Sequence, residues 1–141
     1  MSTKRFDSFI GFILEWEGGY DNDKDDPGGE TRYGIDHRSH PQEDIKNLTL
    51  ERAREIYFAE YWQAGGCEKM PAKLGEVVFN CRVNCGPGRV AKILAITKDA
   101  SDFIDEQDAF YRRLVEARPK SQKYLRGWLN RTRALRKRLG L

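Results

Sequence analysis

The sequence lacks any apolar run close to the roughly 20 residues that a membrane-spanning helix requires, which excludes an architecture built on such helices. It also lacks internal repeats, low-complexity tracts and a linker rich in Gly, Ser or Pro. We therefore predict a single domain over residues 1–141, a length sufficient to bury a core. The charged start is followed by an apolar segment that Asp7, Ser8 and Glu15 interrupt, so we expect no signal peptide.

Cysteine is scarce, because the chain has only 3, an odd number. Cys81 and Cys85 lie four positions apart on a predicted helix, where the side-chain directions are poor for a disulfide. We interpret both as small core residues. A zinc site would need a further ligand close by, and His37 and His40 belong to a different segment. No metal or other cofactor is therefore predicted.

Acidic residues are absent near the end of the chain, where the segment 126–138 holds six basic residues. The net charge is only +3, so positive charge is concentrated there. The segment belongs to a predicted amphipathic helix over 121–139. One hypothesis is that its apolar side docks on the core while its arginines are solvated. The other is that the basic side binds an anionic partner, such as a membrane, cell-wall surface or nucleic acid. No nucleic-acid-binding motif precedes Lys120.

Apolar residues recur with the helical period through most of the chain, which predicts a mainly α fold of about five to seven helices. At most a small β element is expected, near residues 31–35. We predict that Thr49, Pro71 and Ser101 begin helices, since hydroxyl groups cap helices and proline fits their first turn. The helix after Pro71 is apolar around much of its circumference and is expected to be the central one. The predicted helices cover approximately residues 3–16, 49–62, 71–85, 89–96, 101–118 and 121–139.

One stretch departs from this pattern, because residues 17–35 contain six glycines or prolines and a cluster of acidic residues. Glu17 follows Leu14 by three positions and Ile13 by four, so it continues the apolar side of the first helix. Two glycines then end that helix. Partial burial favours the protonated form of a carboxyl group, which is the form a general acid needs. Glu17 is therefore a candidate general acid. The alternative is a helix-end residue that reaches solvent or pairs with an arginine.

A second carboxylate follows in the same stretch. Asp26 precedes a Pro27–Gly28–Gly29 turn that can bring the chain back toward Glu17. Two carboxyl groups that face each other are the catalytic pair of glycoside hydrolysis. One protonates the leaving oxygen, and the other activates water or stabilises the oxocarbenium-like sugar. The hydroxyl of Thr31 can hold that water. A calcium loop starting at Asp21 is the alternative, but its twelfth position is arginine instead of glutamate.

Four ordered segments carry a family resemblance. The first begins as EGGY at Glu17 and continues as DPGGETRYGI, and the others are AREIYFAEYW, VFNCRVNCGPGRVAKIL and FYRRLVEARPKSQKYLRGWLNR. Together they resemble the glycoside hydrolase 108 family of N-acetylmuramidases, which is found in phage endolysins and related secretion-linked muramidases. The resemblance covers most of the chain, with residues 36–49 contributing least. It implies a lysozyme-like single domain that cleaves the β-1,4 bond between N-acetylmuramic acid and N-acetylglucosamine in peptidoglycan.

The resemblance also implies roles for individual residues. Glu17 corresponds to the catalytic glutamate of the family's EGGY element. The order Glu17, Asp26, Thr31 is similar to the catalytic triad of phage-type lysozymes, in which we expect Asp26 to be the second carboxylate and Thr31 to orient water. The family often has Asp where this chain has Asn80, so no catalytic carboxylate is expected at that position.

Three further residues are candidates for the sugar-binding groove. Tyr20 and Tyr33 flank the acidic stretch, and aromatic faces pack on sugar rings. Asn84 belongs to an N-x-G element of the family, and an amide can bond to N-acetyl groups. The alternative for Asn84 is that it caps the end of its helix.

Peptidoglycan glycan strands are therefore the expected partner, with no cofactor, no nucleic acid and a monomeric protein. We expect synthesis in the host cytoplasm and action in the periplasm or cell wall after release, through a holin pore or a dedicated secretion route, as for a phage endolysin. Two other hypotheses are open. One is a non-catalytic envelope- or nucleic-acid-binding module that uses the basic helix. The other is a lysozyme-like protein that has lost activity, which the intact Glu17 and DPGG turn disfavour.

Overall fold

The computed structural model describes residues 2–19, 21–22 and 29–141. The chain divides into two units, Met1–Gln63 and Ala64–Leu141. Six α-helices and one two-stranded sheet lie within the described residues, which confirms the predicted mainly α fold with a small β element. The single domain expected from the sequence stays a prediction. Among the described residues, no helix combines the length and the apolar character needed to cross a bilayer.

The first unit combines helices with a short hairpin. Its elements are α1 (Lys4–Glu17), β1 (Thr31–Arg32), β2 (Ile35–Asp36), a 3-10 helix (Ile45–Asn47), α2 (Leu50–Tyr57) and a π-helical segment (Phe58–Gln63). Threonine side chains define where α1 and α2 begin. The Thr3 hydroxyl accepts a hydrogen bond from the N–H of Phe6 at 3.2 Å, and the Thr49 hydroxyl accepts one from Arg52 at 3.1 Å. Each bond satisfies a backbone donor that has no helical partner, so both helices begin within a residue of the predicted positions.

Aromatic residues form much of the core of the first unit. The ring of Phe6 meets Phe58 edge-on with 5.1 Å between centroids, and it meets Trp62 at 6.0 Å. The Arg5 guanidinium lies over the Trp62 ring at 5.4 Å, which is a cation–π contact. The predicted helix over 49–62 thus continues as far as expected, but it changes to π-helical winding at Phe58. π-Helical winding is rare in proteins, and where it does occur it is often near a functional site.

The second unit is helical throughout its described elements. These are a 3-10 helix (Cys67–Lys69), α3 (Leu74–Cys85), α4 (Pro87–Leu94), α5 (Ala100–Ala117), a second 3-10 helix (Pro119–Ser121) and α6 (Gln122–Leu139). Helix α3 contacts both α4 and α5, and its residues from Val77 to Cys81 are all buried. The prediction of a central, buried helix after Pro71 is confirmed for this unit.

Three of the predicted helix starts in this unit are wrong. Helix α4 begins at Pro87, two residues before the predicted start at 89. Helix α3 begins at Leu74 instead of Pro71, because Lys73 has a φ of 75°, a left-handed conformation that cannot belong to a helix. Helix α5 begins one residue before Ser101, and its capping side chain is Asp99, whose carboxylate accepts a hydrogen bond from the N–H of Asp102 at 2.9 Å.

The buried polar residues of the second unit correct a further prediction. Arg131 belongs to the basic segment 126–138, whose arginines were expected either in solvent or against an anionic partner, but only 6% of it is exposed. Its Nε donates to Oδ1 of Asn80 at 2.9 Å. The cysteine prediction is half right. Cys67 and Cys81 are buried, whereas Cys85 is partly exposed, and none of the three is in a disulfide.

Candidate active site

Glu17 is the last residue of α1, and it is half-buried. The buried side chains of α1 that precede it are Phe6, Phe9, Ile10, Phe12 and Ile13. Gly18 follows with a φ of 72° and ends the helix, because this backbone conformation is open to glycine. Glu15 on the same helix is exposed. The helical spacing therefore placed Glu17 correctly, at the end of the apolar side and between solvent and core.

A two-residue hairpin turn packs directly against the side chain of Glu17. Strands β1 and β2 pair Thr31 with Asp36 and Arg32 with Ile35, which leaves the turn to Tyr33 and Gly34. Both have positive φ, at 53° and 80°, as a type I′ hairpin turn requires. This hairpin is the small β element that was predicted near 31–35. It has two strands, because the left-handed pair reverses the chain in the middle of that stretch.

Gly34 leaves no space for a side chain. A Cβ atom built on it would lie 2.8 Å from Cβ and 2.9 Å from Cγ of Glu17, and 2.3 Å from the hydroxyl oxygen of Tyr57. Real Cβ atoms do not approach neighbours this closely. The backbone at Gly34 is therefore in close contact with the aliphatic part of Glu17, and this contact restricts where the carboxyl group can lie.

Tyr57 fixes the hairpin turn in this position. It is the last residue of α2, is fully buried, and its hydroxyl donates a 2.7 Å hydrogen bond to the carbonyl oxygen of Tyr33. Three elements thus meet at one place: the end of α1, the turn between β1 and β2, and the end of α2. Neither Tyr57 nor Gly34 was among the site residues predicted from the sequence. The available signal was the Tyr33–Gly34 pair, since glycine at the second turn position is typical of type I′ turns.

Thr31 lies in β1 and is held through its backbone. Its N–H donates to the carbonyl of Asp21 at 2.7 Å, and the N–H of Asp21 donates to the carbonyl of Thr31 at 2.8 Å. The chain after α1 is therefore paired with the strand that carries Thr31. Two predicted site residues, Tyr20 and Asp26, lie outside the described residues. The structure thus brings the end of Glu17 together with the hairpin that contains Thr31 and Tyr33.

A buried histidine connects this hairpin to the π-helical segment. His40 is 7% exposed, and its Nε2 lies 3.2 Å from a carboxylate oxygen of Glu60. Its Nδ1 lies 4.0 Å from a carboxylate oxygen of Asp36 in β2. In the part of the chain that the structure describes, no group of three or more His, Cys, Asp and Glu side chains is arranged to hold a metal ion.

Asn84, the remaining candidate, belongs to the second unit. It lies in the last turn of α3, and its amide donates to the hydroxyl oxygen of Tyr111 on α5. Gln107 donates to the same oxygen at 2.8 Å. The amide of Asn84 therefore bonds within its own unit, and it also lines an open surface pocket with Tyr111 and Trp128.

The basic helix α6 carries less free charge than its sequence indicates. Arg131 is buried against Asn80, as described above. Arg136 donates to Asp105 at 2.7 Å and to Asp108 at 2.9 Å. Two of the six basic residues of this segment therefore bond to other helices, Arg131 to α3 and Arg136 to α5. Arg126, Arg133 and Lys137 are exposed.

A comparison with protein families identifies the class of the chain as a glycoside hydrolase. The family model described as Glycosyl hydrolase 108 matches residues 10–86, more than half of the chain. All six candidate site residues fall inside that range. The chain belongs to the glycosyl hydrolase 108 family, as its four ordered segments predicted. This membership supports glycosidase activity with peptidoglycan as the substrate.

The fold is also found among solved structures. The chain is similar to SagA from Brucella abortus, with a TM-score of 0.77 and 22% sequence identity, over 95% of this chain and 92% of that one. At this level of identity the likeness establishes a shared fold. None of the curated proteins compared with the chain matches it.

Proposed function

We propose that the protein is an N-acetylmuramidase that hydrolyses the β-1,4 bond between N-acetylmuramic acid and N-acetylglucosamine, with Glu17 as the general acid. The observation that carries this proposal is the close packing of Gly34 against Cβ and Cγ of Glu17. A catalytic carboxyl group must be held in position while part of it reaches substrate. Glu17 meets both conditions, because its aliphatic part is held by the hairpin turn while the residue is only half-buried.

In this mechanism Glu17 donates its proton to the glycosidic oxygen as the bond to the sugar C1 breaks. The electron pair of that bond stays on the leaving oxygen, and positive charge develops on the sugar ring. Asp26 is the proposed second carboxylate, which stabilises that charge or removes a proton from the attacking water. Thr31 is proposed to orient the water. The pairing of Thr31 with Asp21 supports these roles, since it brings the chain on both sides of Asp26 to the same hairpin.

The proposed sugar contacts come from Tyr20, Tyr33 and Asn84. Tyr33 has the strongest support, because it is the turn neighbour of Gly34, whose backbone packs against Glu17. Asn84 is supported by its exposure at a surface pocket, although its amide already donates to Tyr111.

The test is digestion of purified peptidoglycan followed by mass spectrometry of the products. A muramidase leaves N-acetylmuramic acid at the new reducing ends. We expect Glu17→Gln to lower the rate by about 100-fold or more, the usual contribution of a general acid, with unchanged folding. The matched control is Glu15→Gln, which changes an exposed glutamate two positions away on the same helix and should retain full activity. New ends made of N-acetylglucosamine or an anhydro sugar would overturn the bond assignment. Near-normal activity of Glu17→Gln would remove this residue from the mechanism.

We further propose that the protein acts in the periplasm or cell wall after release from the cytoplasm, as a phage endolysin does. The support for this proposal is the substrate, because peptidoglycan lies outside the cytoplasmic membrane. Expression inside a bacterium, with and without a holin that permeabilises the inner membrane, tests this. Lysis only when the holin is present is expected, and lysis without it would contradict the proposal.

A further inference from the structure

Cys85 differs from the other two cysteines in its access to solvent. Cys67 and Cys81 are 0% exposed, whereas Cys85 is partly exposed at the end of α3. It lines an open pocket together with Asn84, Phe110, Tyr111, Leu114 and Trp128. A small reagent that enters this pocket therefore meets one thiol and no other.

The polar groups around the Cys85 sulfur favour its thiolate form. The Cys81 thiol, one helical turn earlier, donates a hydrogen bond to it, and the Tyr111 hydroxyl lies 3.5 Å away. The positive charges of Arg131 on α6 and Arg89 on α4 act in the same direction. Together these groups lower the pKa of Cys85 to about 7, with the Cys81 hydrogen bond contributing most and burial opposing it.

The neighbouring groups keep their own protons. The pKa of Cys81 is raised, chiefly because its thiol donates to Cys85 and because it is buried. The pKa of Tyr111 is raised mainly by burial. Thiolates are nucleophiles and thiols are not, so the reactivity of this cluster is concentrated on one sulfur atom.

We propose that Cys85 is a thiol modification site, which small oxidants such as hydrogen peroxide convert to a sulfenic acid ahead of Cys67 and Cys81. In this step the thiolate sulfur attacks one peroxide oxygen, the S–O bond forms and the O–O bond breaks. The departing hydroxide takes a proton from solvent and leaves as water. The sulfur loses two electrons and the peroxide gains them. Low pKa and solvent access are the features of oxidation-sensitive thiols.

The sulfenic acid is expected to persist on Cys85. Condensation with Cys81 would need the Cys81 thiolate, and this thiol is buried and holds its proton. The spacing of four residues on a helix also disfavours a disulfide. Asn84 and Tyr111, which line the same pocket, offer hydrogen bonds to the added oxygen.

The experiment treats the native, full-length chain with hydrogen peroxide and traps sulfenic acid with dimedone, followed by peptide mass spectrometry. One dimedone adduct is expected, on Cys85. Cys85→Ser should remove it, and Cys67→Ser, which changes a buried thiol, should retain it. Adducts on Cys67 or Cys81 at an equal rate would overturn the proposal, as would a native chain that forms no adduct under conditions that modify the urea-unfolded chain.

A second measurement tests the environment separately from oxidation. The rate of alkylation by iodoacetamide should reach half its maximum near pH 7, the pKa of Cys85, and a free cysteine would do so near about 8.5. Because the Tyr111 hydroxyl lowers the Cys85 pKa, Tyr111→Phe should move the midpoint to higher pH. A midpoint at the free-cysteine value in the native chain would contradict the proposal. Neither measurement depends on peptidoglycan hydrolysis.

Discussion

The two units hold their polar side chains by different means. In the first unit, Glu17 is restricted by a glycine that lacks a side chain and by a turn anchored through a backbone carbonyl. In the second unit, Asn80 and Arg131 are buried and bond to each other through their side chains.

This difference has consequences for substitution. Packing against backbone cannot adjust to added atoms, because neither the glycine nor the helix end can rotate away. A pair of side chains depends instead on matching donors and acceptors, so a replacement that keeps the match is tolerated and one that removes it is not. The first unit should therefore be sensitive to volume, and the second to hydrogen-bonding chemistry.

The largest effect is expected for Gly34→Ala. The added methyl group meets Tyr57 and Glu17 at distances no real Cβ tolerates, and alanine is strained at a φ of 80°. We expect a loss of about 2–4 kcal/mol in unfolding free energy and a loss of peptidoglycan hydrolysis of at least about 10-fold from displacement of Glu17. Chemical denaturation measures the loss of stability, and a turbidity assay on peptidoglycan measures the loss of hydrolysis.

The control for this change is Gly66→Ala, because Gly66 has a similar φ of 68° but open space around it. Gly66→Ala should lower the free energy of unfolding by about 1 kcal/mol, the cost of the backbone strain alone. Equal losses for the two variants would show that packing on Glu17 contributes nothing. In a Tyr57→Phe background, Gly34→Ala should be less destabilising, because the shortest of its three contacts is then removed.

The next largest effect is expected at Asn80. Asn80→Ala leaves the Nε of buried Arg131 without its acceptor and should destabilise the protein by about 2–4 kcal/mol. Asn80→Asp keeps an acceptor at the same place and also removes the amide Nδ2, which is buried without a hydrogen-bond partner. Asn80→Asp should therefore be clearly more stable than Asn80→Ala in thermal unfolding at neutral pH. If the two variants unfold together, side-chain matching does not determine the stability of this pair.

A smaller effect is expected for Tyr57→Phe. This change removes the 2.7 Å hydrogen bond to the Tyr33 carbonyl while it retains the buried ring, so the loss should be about 1 kcal/mol. A moderate decrease in hydrolysis should accompany it, because the turn against Glu17 becomes less restrained. Tyr124→Phe is the control, since Tyr124 is 53% exposed. Unchanged hydrolysis and stability in Tyr57→Phe would show that the turn does not need this anchor.

The smallest effect distinguishes the observed cap of α5 from the predicted one. Asp99→Ala removes the hydrogen bond to the N–H of Asp102 and should lower stability by about 1 kcal/mol. Ser101→Ala should change the stability by only a few tenths of this 1 kcal/mol, because Ser101 is an exposed residue inside the first turn of α5. Thermal unfolding of the two variants measures the difference, and a larger loss at Ser101 would contradict the assignment.

The sequence predicted those parts of the structure that depend on local periodicity. The apolar spacing in α1 located Glu17 at the helix end, and Thr49 was recognised as a cap because its hydroxyl acts three residues away. The hairpin turn was missed because it depends on a positive φ at Tyr33. Residues other than glycine seldom adopt this backbone conformation, and here tertiary packing holds Tyr33 in it. Lys73 also has a positive φ, and for this reason α3 begins at Leu74 instead of the predicted Pro71.

Long-range pairing accounts for the remaining differences. Arg131 has the sequence pattern of an exposed arginine on a basic helix, and its acceptor is Asn80, 51 positions earlier. Periodicity contains no information about such a partner. The contact of Gly34 with Tyr57 and Glu17 is of the same kind, because each of the three residues belongs to a different element.

The pairing of Asp21 with Thr31 uses only main-chain atoms. Any residue other than proline can form it, so the bridge places almost no demand on the identity of the residues at its two ends. Substitutions at these two positions that keep the backbone N–H should therefore leave the bridge and the hairpin register unchanged.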